Sequence, residues 1–504
     1  MKHLIFFAAL AAVLSVPAED LSFRCPALVP VPVELTFEES VAVRLSSALR
    51  FEVTCPDSAA KEWVWRHVKE WFGFEPSVVQ TPGVCEAARG DEGYVLSAKP
   101  ERIFVGARTL QGVRYALYTL RQAAERESVG RTLKGYWLPA LEIKDSPALA
   151  FRGVHFCWFP ELSKTLIEHQ IRTAAYYKFN YVVLESWGMF RSRRHPELAL
   201  RDSPLTPAEA GRLAALARDL GVTLIPQVNI YGHATGARGM GGKHATLDYH
   251  PEMQPLFEPA GGWNWCLSNP DATAVVREYV DEMHEAFGRP PFFHVGCDEA
   301  DEASCPRCRA VKPYAKLVGD HLLAVHDMLK ARGARIMMWH DMLLEKDDPR
   351  WKPFYARARK ENAGLIDRLP RDIVICDWYY GKNYGRESKP NAYPTLDYFK
   401  EQGFSTLTCP WDDVLGVDAQ GAYARKTGLF GMLETVWHHF RGGQFASMMM
   451  RSAYASWGVP AKGSGEWTSP FAVHWRQTGW DMGISDYDET GFIRHTVTRD
   501  ALDR

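Results

Sequence analysis

The chain of 504 residues predicts an α/β protein, a (β/α)8 barrel of the TIM type preceded by a small α/β domain. Three observations carry this. From Phe151 onward, short apolar runs alternate with helical patterns until eight candidate strands have been counted. None of these strands runs into a glycine-rich phosphate turn, which argues against a doubly wound open sheet. The sharpest acidic pair, Asp298-Glu299, follows directly on an apolar strand, at the end where barrels carry their chemistry.

In chain order, residues 1–18 read as a cleaved secretory signal. Lys2 and His3 precede an apolar run from Leu4 to Leu14, and Val16 and Ala18 are small enough for a signal-peptidase site. An exported protein, periplasmic or secreted, is therefore expected. Residues 19–146 form the small α/β domain. Strands are expected at 31–35, 48–53, 93–97 and 102–106, with helices at 59–72 and 110–126, the first carrying Trp63, Val64, Val68 and Trp71 on one stripe. Residues 147–475 form the barrel. Its strands are expected at 151–157, 181–185, 223–229, 292–295, 335–339, 373–377, 405–409 and 429–434. Helices are clearest at 164–178, 207–220, 273–287, 314–332 and 393–402. Residues 476–504 are a C-terminal tail of unassigned role.

Composition narrows the function. Lys and Arg number 59 against 61 Asp and Glu, a formal charge of −2, which argues against a nucleic-acid partner or an anionic membrane surface. A hydrophobic share of 46% and a charged share of 24% exclude disordered and fibrous classes. No later apolar run approaches the ~20 residues of a membrane span. Oligomeric state is not legible. Ten cysteines are too few for a disulfide scaffold. Cys305-Pro306-Arg307-Cys308 is the one close pair; zinc would want a second pair or histidines at ligand spacing, and none follows. A local disulfide or two free thiols is the reading, with no metal and no cofactor expected.

Regular alternation would send Asp298 and Glu299 to opposite faces, so both reach one pocket only if the strand has ended before them. Two carboxyls in one pocket can split roles, one protonated and one ionised. Asp301 and Glu302 read as exposed loop residues.

The segment His294-Val295-Gly296-Cys297-Asp298-Glu299 resembles the His-x-Gly-x-Asp-Glu signature of family 20 glycoside hydrolases, the β-N-acetylhexosaminidases. The resemblance extends over nearly the whole mature chain. The first domain, with Gly112-Val113-Arg114-Tyr115-Ala116-Leu117-Tyr118-Thr119-Leu120-Arg121-Gln122 near its end, is similar to the domain that precedes the barrel in many members. The barrel resembles most the hexosaminidase D branch, through Leu184-Glu185-Ser186-Trp187-Gly188-Met189-Phe190, Thr223-Leu224-Ile225-Pro226-Gln227 through Gly232-His233, Met338-Trp339-His340-Asp341-Met342-Leu343 and Thr435-Val436-Trp437.

That resemblance implies an exo-acting enzyme that removes terminal β-linked N-acetylhexosamine from a glycan or glycoconjugate by substrate-assisted retaining hydrolysis. It implies Glu299 as general acid and base, Asp298 as partner of the acetamido N–H, and Tyr380 (or its neighbour Tyr379) as the phenol on the acetamido carbonyl. Arg152 and Glu185 would hold sugar hydroxyls and His233 would belong to the site. Trp339, Trp378, Trp411 and Trp437 would present flat faces, Trp437 walling the acetamido methyl. There are departures. Cys409-Pro410-Trp411-Asp412-Asp413 stands where main-branch members have Tyr-x-Asp, and His439 stands where they have glutamate. The preference between N-acetylglucosamine and N-acetylgalactosamine, the linkage and the aglycone are left open.

Two rival readings are a catalytically weak carbohydrate-binding barrel and a metal-dependent barrel hydrolase. The first is opposed by retention of both Asp298 and Glu299. The second would draw on His294, Asp298, His340 and perhaps Cys305 and Cys308. Of the 17 tryptophans, Trp63, Trp65, Trp71 and Trp137 fall in the first domain. Trp158, Trp187, Trp339, Trp378, Trp411 and Trp437 fall at or beyond barrel strand ends, with Trp263 and Trp265 in the long connection after the third. That placement predicts a sugar-binding rim.

Overall fold

The computed structural model describes residues 27–480 and 482, apart from 130–131, 159–162, 200–203, 236–245, 260, 301–304, 312, 353, 359–363, 381–391, 412, 438–442 and 459–467. The signal-peptide reading, most of the tail, and Asp301, Glu302, Asp412 and His439 lie outside the described residues. Contacts divide the chain into two compact units, the second holding Val29–Val31 and everything from Ser146 on, the first the rest.

The first unit is a sheet of seven strands, β1 (Glu34–Leu45), β2 (Arg50–Thr54), β3 (Ser77–Thr81), β4 (Tyr94–Lys99), β5 (Arg102–Ala107), β6 (Glu125–Val129) and β7 (Thr132–Asp145). The order is β1-β7-β4-β5-β2-β3, with β6 paired to β7. The helix Ala60–Phe72 buries Trp63, Val64, Val68 and Trp71 along one stripe and stops at Gly73, whose φ of 75° suits a left-handed cap. The second helix ends at Ala123, not at Arg126 as expected. Arg126 pairs instead with Tyr136 in the β6–β7 ladder, so strand pairing overrides a helical pattern that locally continued. The first strand begins at Glu34, beyond Pro32, which has no N–H to give a ladder. Strands β3, β6 and β7 went unread in the sequence.

The second unit is a closed barrel of eight parallel strands: β8 (Phe151–Trp158), β9 (Tyr181–Ser186), β10 (Thr223–Gln227), β11 (Phe292–His294), β12 (Arg335–Trp339), β13 (Val374–Trp378), β14 (Ser405–Cys409) and β15 (Gly431–Val436). All eight fall on segments the alternation predicted. Helices return the chain between them, and the clearest first turn is capped by local chemistry. Thr206 accepts from Glu209 N while the Glu209 side chain accepts from Thr206 N, with Pro207 at the first helical position. No helix among the described residues is long and apolar enough to cross a membrane.

Phe151, Val183, Ile225, Phe292, Met337, Val374, Leu407 and Leu433 fill the barrel interior. Phe151 stacks on Tyr181 at 4.1 Å, and Phe292 meets both edge-on at 6.0 and 5.6 Å. Two residues further along β8 the chain stays small to admit the Phe151 ring: a Cβ on Gly153 would lie 2.6 Å from its Cε1.

Arg152 belongs to this N-terminal end. It is 1% exposed, its Nε donates to Lys178 O at 3.2 Å, its Nη1 to Leu149 O at 2.7 Å, and its guanidinium lies 5.2 Å from the Trp457 ring. The expectation that it grips sugar is corrected. As the second residue of β8 it sits at the opposite end from the carboxylates, engaged by backbone carbonyls.

Candidate active site

Strand β11 has only three residues, which meets the demand that Asp298-Glu299 placed on the fold. Beyond His294 the backbone leaves the extended region: Gly296, Cys297 and Glu299 have φ of 64°, 76° and 45°. Left-handed backbone at non-glycine residues is uncommon and strained, and clusters where neighbours over-determine it. Here Trp339 N donates to Gly296 O at 2.9 Å, Glu299 N donates to Asp341 Oδ2 at 2.8 Å, and Trp263 Nε1 donates to Glu299 O at 2.8 Å. Gly296 is required twice over. Besides its φ, a Cβ there would fall 1.7 Å from Asn229 Oδ1.

The turn delivers both carboxylates to one imidazole. His233 Nε2 lies 3.3 Å from Asp298 Oδ2 and 3.6 Å from Glu299 Oε2. Burial alone would lower the His233 pKa, but the carboxylates, Asp298 foremost, outweigh it and raise it to about 10. His233 is thus an imidazolium at neutral pH. Trp263 packs on its ring at 4.2 Å and Trp187 meets it edge-on at 5.6 Å.

Two charged neighbours were not singled out in the sequence. Arg357 Nη2 donates to Glu299 Oε1 at 2.6 Å, and Arg357 N is fixed to Asp341 O at 2.8 Å. Asp341 also accepts from Trp378 Nε1 at 3.3 Å. Burial first, then the Asp298 and Glu299 charges, push Asp341 up to about 7, against the lowering effect of the Glu299 N–H. The signal for Asp341 was its place just after β12, which the Glu299 side of the pocket needs. Arg357 had no signal, because it lies in a loop without a pattern.

Glu185 is 1% exposed, and its carboxylate takes His155 Nε2 at 3.1 Å, Cys157 Sγ at 3.1 Å and Asn229 Nδ2 at 2.8 Å. Burial pushes its pKa up, yet the His155 bond and the other donors dominate and lower it to about 2. The expected role as acceptor for sugar hydroxyls is corrected. Its oxygens are engaged by protein donors, and it anchors Asn229 against the Gly296 turn.

Alternation along β13 separates the two tyrosines. Val374, Cys376, Trp378 and Tyr380 belong to the interior cluster, together with Trp339 and the partly buried Trp411 and Trp437. Tyr379 belongs to the outer cluster with Leu396 and Val417, its ring 4.7 Å from Phe354. Tyr379 is therefore removed from the site and Tyr380 retained. The wall has two runs of rings: Trp378 to Tyr380 at 5.3 Å and Tyr380 to Trp411 at 5.1 Å, and Trp339 to Trp437 at 5.3 Å. Trp339 Nε1, Trp437 Nε1 and Asp298 Oδ1 are buried with no hydrogen-bond partner among the described residues. Of the other tryptophans, Trp263 and Trp187 reach the site through His233. Trp265 turns away onto Phe257, and Trp158 is buried.

The metal-hydrolase constellation does not assemble among the described residues. His340 faces Asp377 at 3.4 Å, and burial holds the His294 pKa well below its ordinary value beside Trp339. The described clusters with metal-ligand spacing are Cys266/Cys305/Cys308 and His155/Cys157/Glu185, and neither includes Asp298 or His340.

This geometry agrees with comparisons to known proteins. Residues 165–402 match the glycosyl hydrolase family 20 catalytic domain and residues 25–146 match domain 2 of the same family. A β-hexosaminidase of Porphyromonas gingivalis is 23% identical over 294 residues, half of this chain but only 36% of that protein. Hexosaminidase D of Bos taurus is 25% identical over 273 residues, 52% of this chain and 68% of that one. The fold superposes on a family 20 exo-β-N-acetylglucosaminidase of Vibrio harveyi solved with N-acetylglucosamine. The TM-score is 0.65 at 16% identity, with 92% and 79% of the two chains covered. The domain 2 match precedes the catalytic match along the chain, and the catalytic match carries Asp298 and Glu299. By these matches the chain belongs to glycoside hydrolase family 20.

Proposed function

We propose that the protein is an exo-acting β-N-acetylhexosaminidase, taking glycans or glycoconjugates that end in β-linked N-acetylglucosamine or N-acetylgalactosamine. One observation carries the reading: two adjacent carboxyl groups share one imidazole within 3.6 Å beside a wall of indole and phenol rings. Glu299, the more exposed of the two, protonates the glycosidic oxygen as the bond to C1 breaks. The substrate's own acetamido oxygen attacks C1, giving an oxazolinium and making an enzyme nucleophile unnecessary. Asp298, held by His233, accepts the acetamido N–H and offsets the positive charge that develops there. Tyr380 donates to the acetamido oxygen, and Trp339 and Trp437 enclose the methyl group. Glu299, now a carboxylate, takes a proton from the water that opens the ring, and the configuration at C1 is retained.

The test is release of p-nitrophenol from the two N-acetyl-β-hexosaminides. Wild type should release it, Glu299→Gln should lose about 10²–10⁴-fold in kcat, and equal release by the variant would overturn the assignment. Residues 1–18 are read as a signal peptide directing export to the periplasm or medium. N-terminal sequencing of the mature protein should begin after Ala18.

A further inference from the structure

We propose that Cys266, Cys305 and Cys308 bind a divalent ion of the zinc class, which fastens the loop after β10 to the loop after β11. The sequence showed only Cys305-x-x-Cys308 and nothing downstream to complete it. The fold brings the third ligand from upstream. Cys266 Sγ lies 3.7 Å from Cys305 Sγ and 3.8 Å from Cys308 Sγ. A tetrahedral zinc with bonds of about 2.3 Å requires sulfurs about 3.8 Å apart, whereas a disulfide requires about 2.05 Å. The three are free cysteines, all buried, with their sulfurs within 4.8 Å of one another.

Hydrogen-bond donors face the sulfurs. Arg307 Nη2 lies 3.6 Å from Cys266 Sγ, backbone N–H groups of Arg307 and Cys308 meet the Cys305 sulfur, and the Ser268 backbone N–H meets the Cys308 sulfur. N–H donors aimed at each ligand are what a metal-bound thiolate recruits around itself. Glu258, 3% exposed, accepts from Cys305 N at 3.4 Å, so its carboxylate and water are the donors at hand for the fourth position. The location gives the ion a purpose. Trp263, three residues before Cys266, donates to the Glu299 carbonyl, and Cys305 lies six residues beyond Glu299. A metal joining these loops is a structural clamp on the turn that carries both carboxylates, distinct from the reacting centre.

The full chain, expressed without a metal-affinity tag in zinc-supplemented medium, is measured by plasma mass spectrometry. The expected content is about one zinc per chain, falling at least tenfold in Cys305→Ser and Cys308→Ser. Circular dichroism checks that these variants fold. Should they not fold, titrating wild type with p-mercuribenzoate must release the zinc in step with three thiols, seen with a colorimetric chelator. The melting temperature of wild type should fall on treatment with a strong chelator and return with zinc. Wild type without metal, metal retained in both serine variants, or a denatured mass short by two hydrogens for a Cys–Cys bond would each overturn the proposal.

Discussion

The two ends of the barrel are built from the same residue types and behave in opposite ways. At the N-terminal end, Phe151, Tyr181, Phe292 and Phe430 pack ring against ring. The arginines there are spent on backbone oxygens: Arg152 on Leu149 and Lys178, Arg335 on Asp372 at 2.6 Å. At the C-terminal end, Trp339, Trp378, Tyr380, Trp411 and Trp437 also pack ring against ring, but polar edges are left over. Trp339 Nε1, Trp437 Nε1 and Asp298 Oδ1 are buried without a hydrogen-bond partner among the described residues. Buried polar groups left in this state cost about 1–3 kcal/mol each, so a fold retains them where something else recovers the cost. The ring wall at the C-terminal end thus keeps the polar atoms that the proposed substrate, polar with an apolar face, would engage.

The largest effect should separate the ends outright. Glu299→Gln removes the proton donor and leaves the melting temperature close to wild type. Arg152→Met leaves two buried carbonyls unpaired and should cost about 1–3 kcal/mol of stability while kcat stays within twofold of wild type. Paired calorimetry and kinetics read both. Should the Arg152 variant fold normally yet lose kcat as the Glu299 variant does, the two ends would not be functionally distinct.

Gly296→Ala should come next, because it strikes the link between them. The new Cβ would meet Asn229 Oδ1 at 1.7 Å on a backbone with φ of 64°. Asn229 must move, and it carries one of the three bonds that hold Glu185 ionised. Strain of about 1–3 kcal/mol from the backbone alone, with the clash in addition, should lower the denaturation midpoint. Activity should drop with it, and normal kcat in a folded alanine variant would show that the turn tolerates movement.

Tyr380→Phe and Tyr379→Phe form a finer comparison within one dipeptide. The interior hydroxyl should be worth about tenfold in kcat/KM, one charge-assisted hydrogen bond's share, while loss of the outer one should leave kinetics unchanged. A reversed result would mean that β13 is read in the wrong register.

How far the sequence reached follows the same division. Period-two and period-3.6 patterns are local, so the eight barrel strands and Asp298-Glu299 were legible. Arg152 was legible as the second residue of an expected strand, hence at the barrel's N-terminal end, and the resemblance alone pointed it at sugar. The Tyr379/Tyr380 choice needed the strand's phase, which Trp378 alone does not fix. Arg357 and Cys266 were invisible because they join their partners through loops, where spacing along the chain carries no information about spacing in space. The strands β6 and β7 were lost for a related reason: their pairing stabilises a segment whose own pattern is weak.

The smallest effect is one of pH. Asp341 is pushed up to about 7 by burial and by Asp298 and Glu299, so between its ordinary value near 4 and about 7 the folded protein holds a proton that the unfolded chain releases. Stability must therefore fall as pH rises through that window. His233 acts in another window. Its pKa is raised to about 10, so its contribution is complete below about 6.5, declines above that, and is lost as pH passes 10. Asp341→Asn should erase the slope below pH 7 and leave the alkaline one. It keeps an acceptor for Glu299 N–H at 2.8 Å and sacrifices the longer bond from Trp378 Nε1 at 3.3 Å, so the variant should fold. Melting temperatures from pH 4 to 10 would show this, and the kcat/KM profile should lose an inflection near 7 in parallel. If it persisted in the Asn variant, its assignment to Asp341 would be overturned.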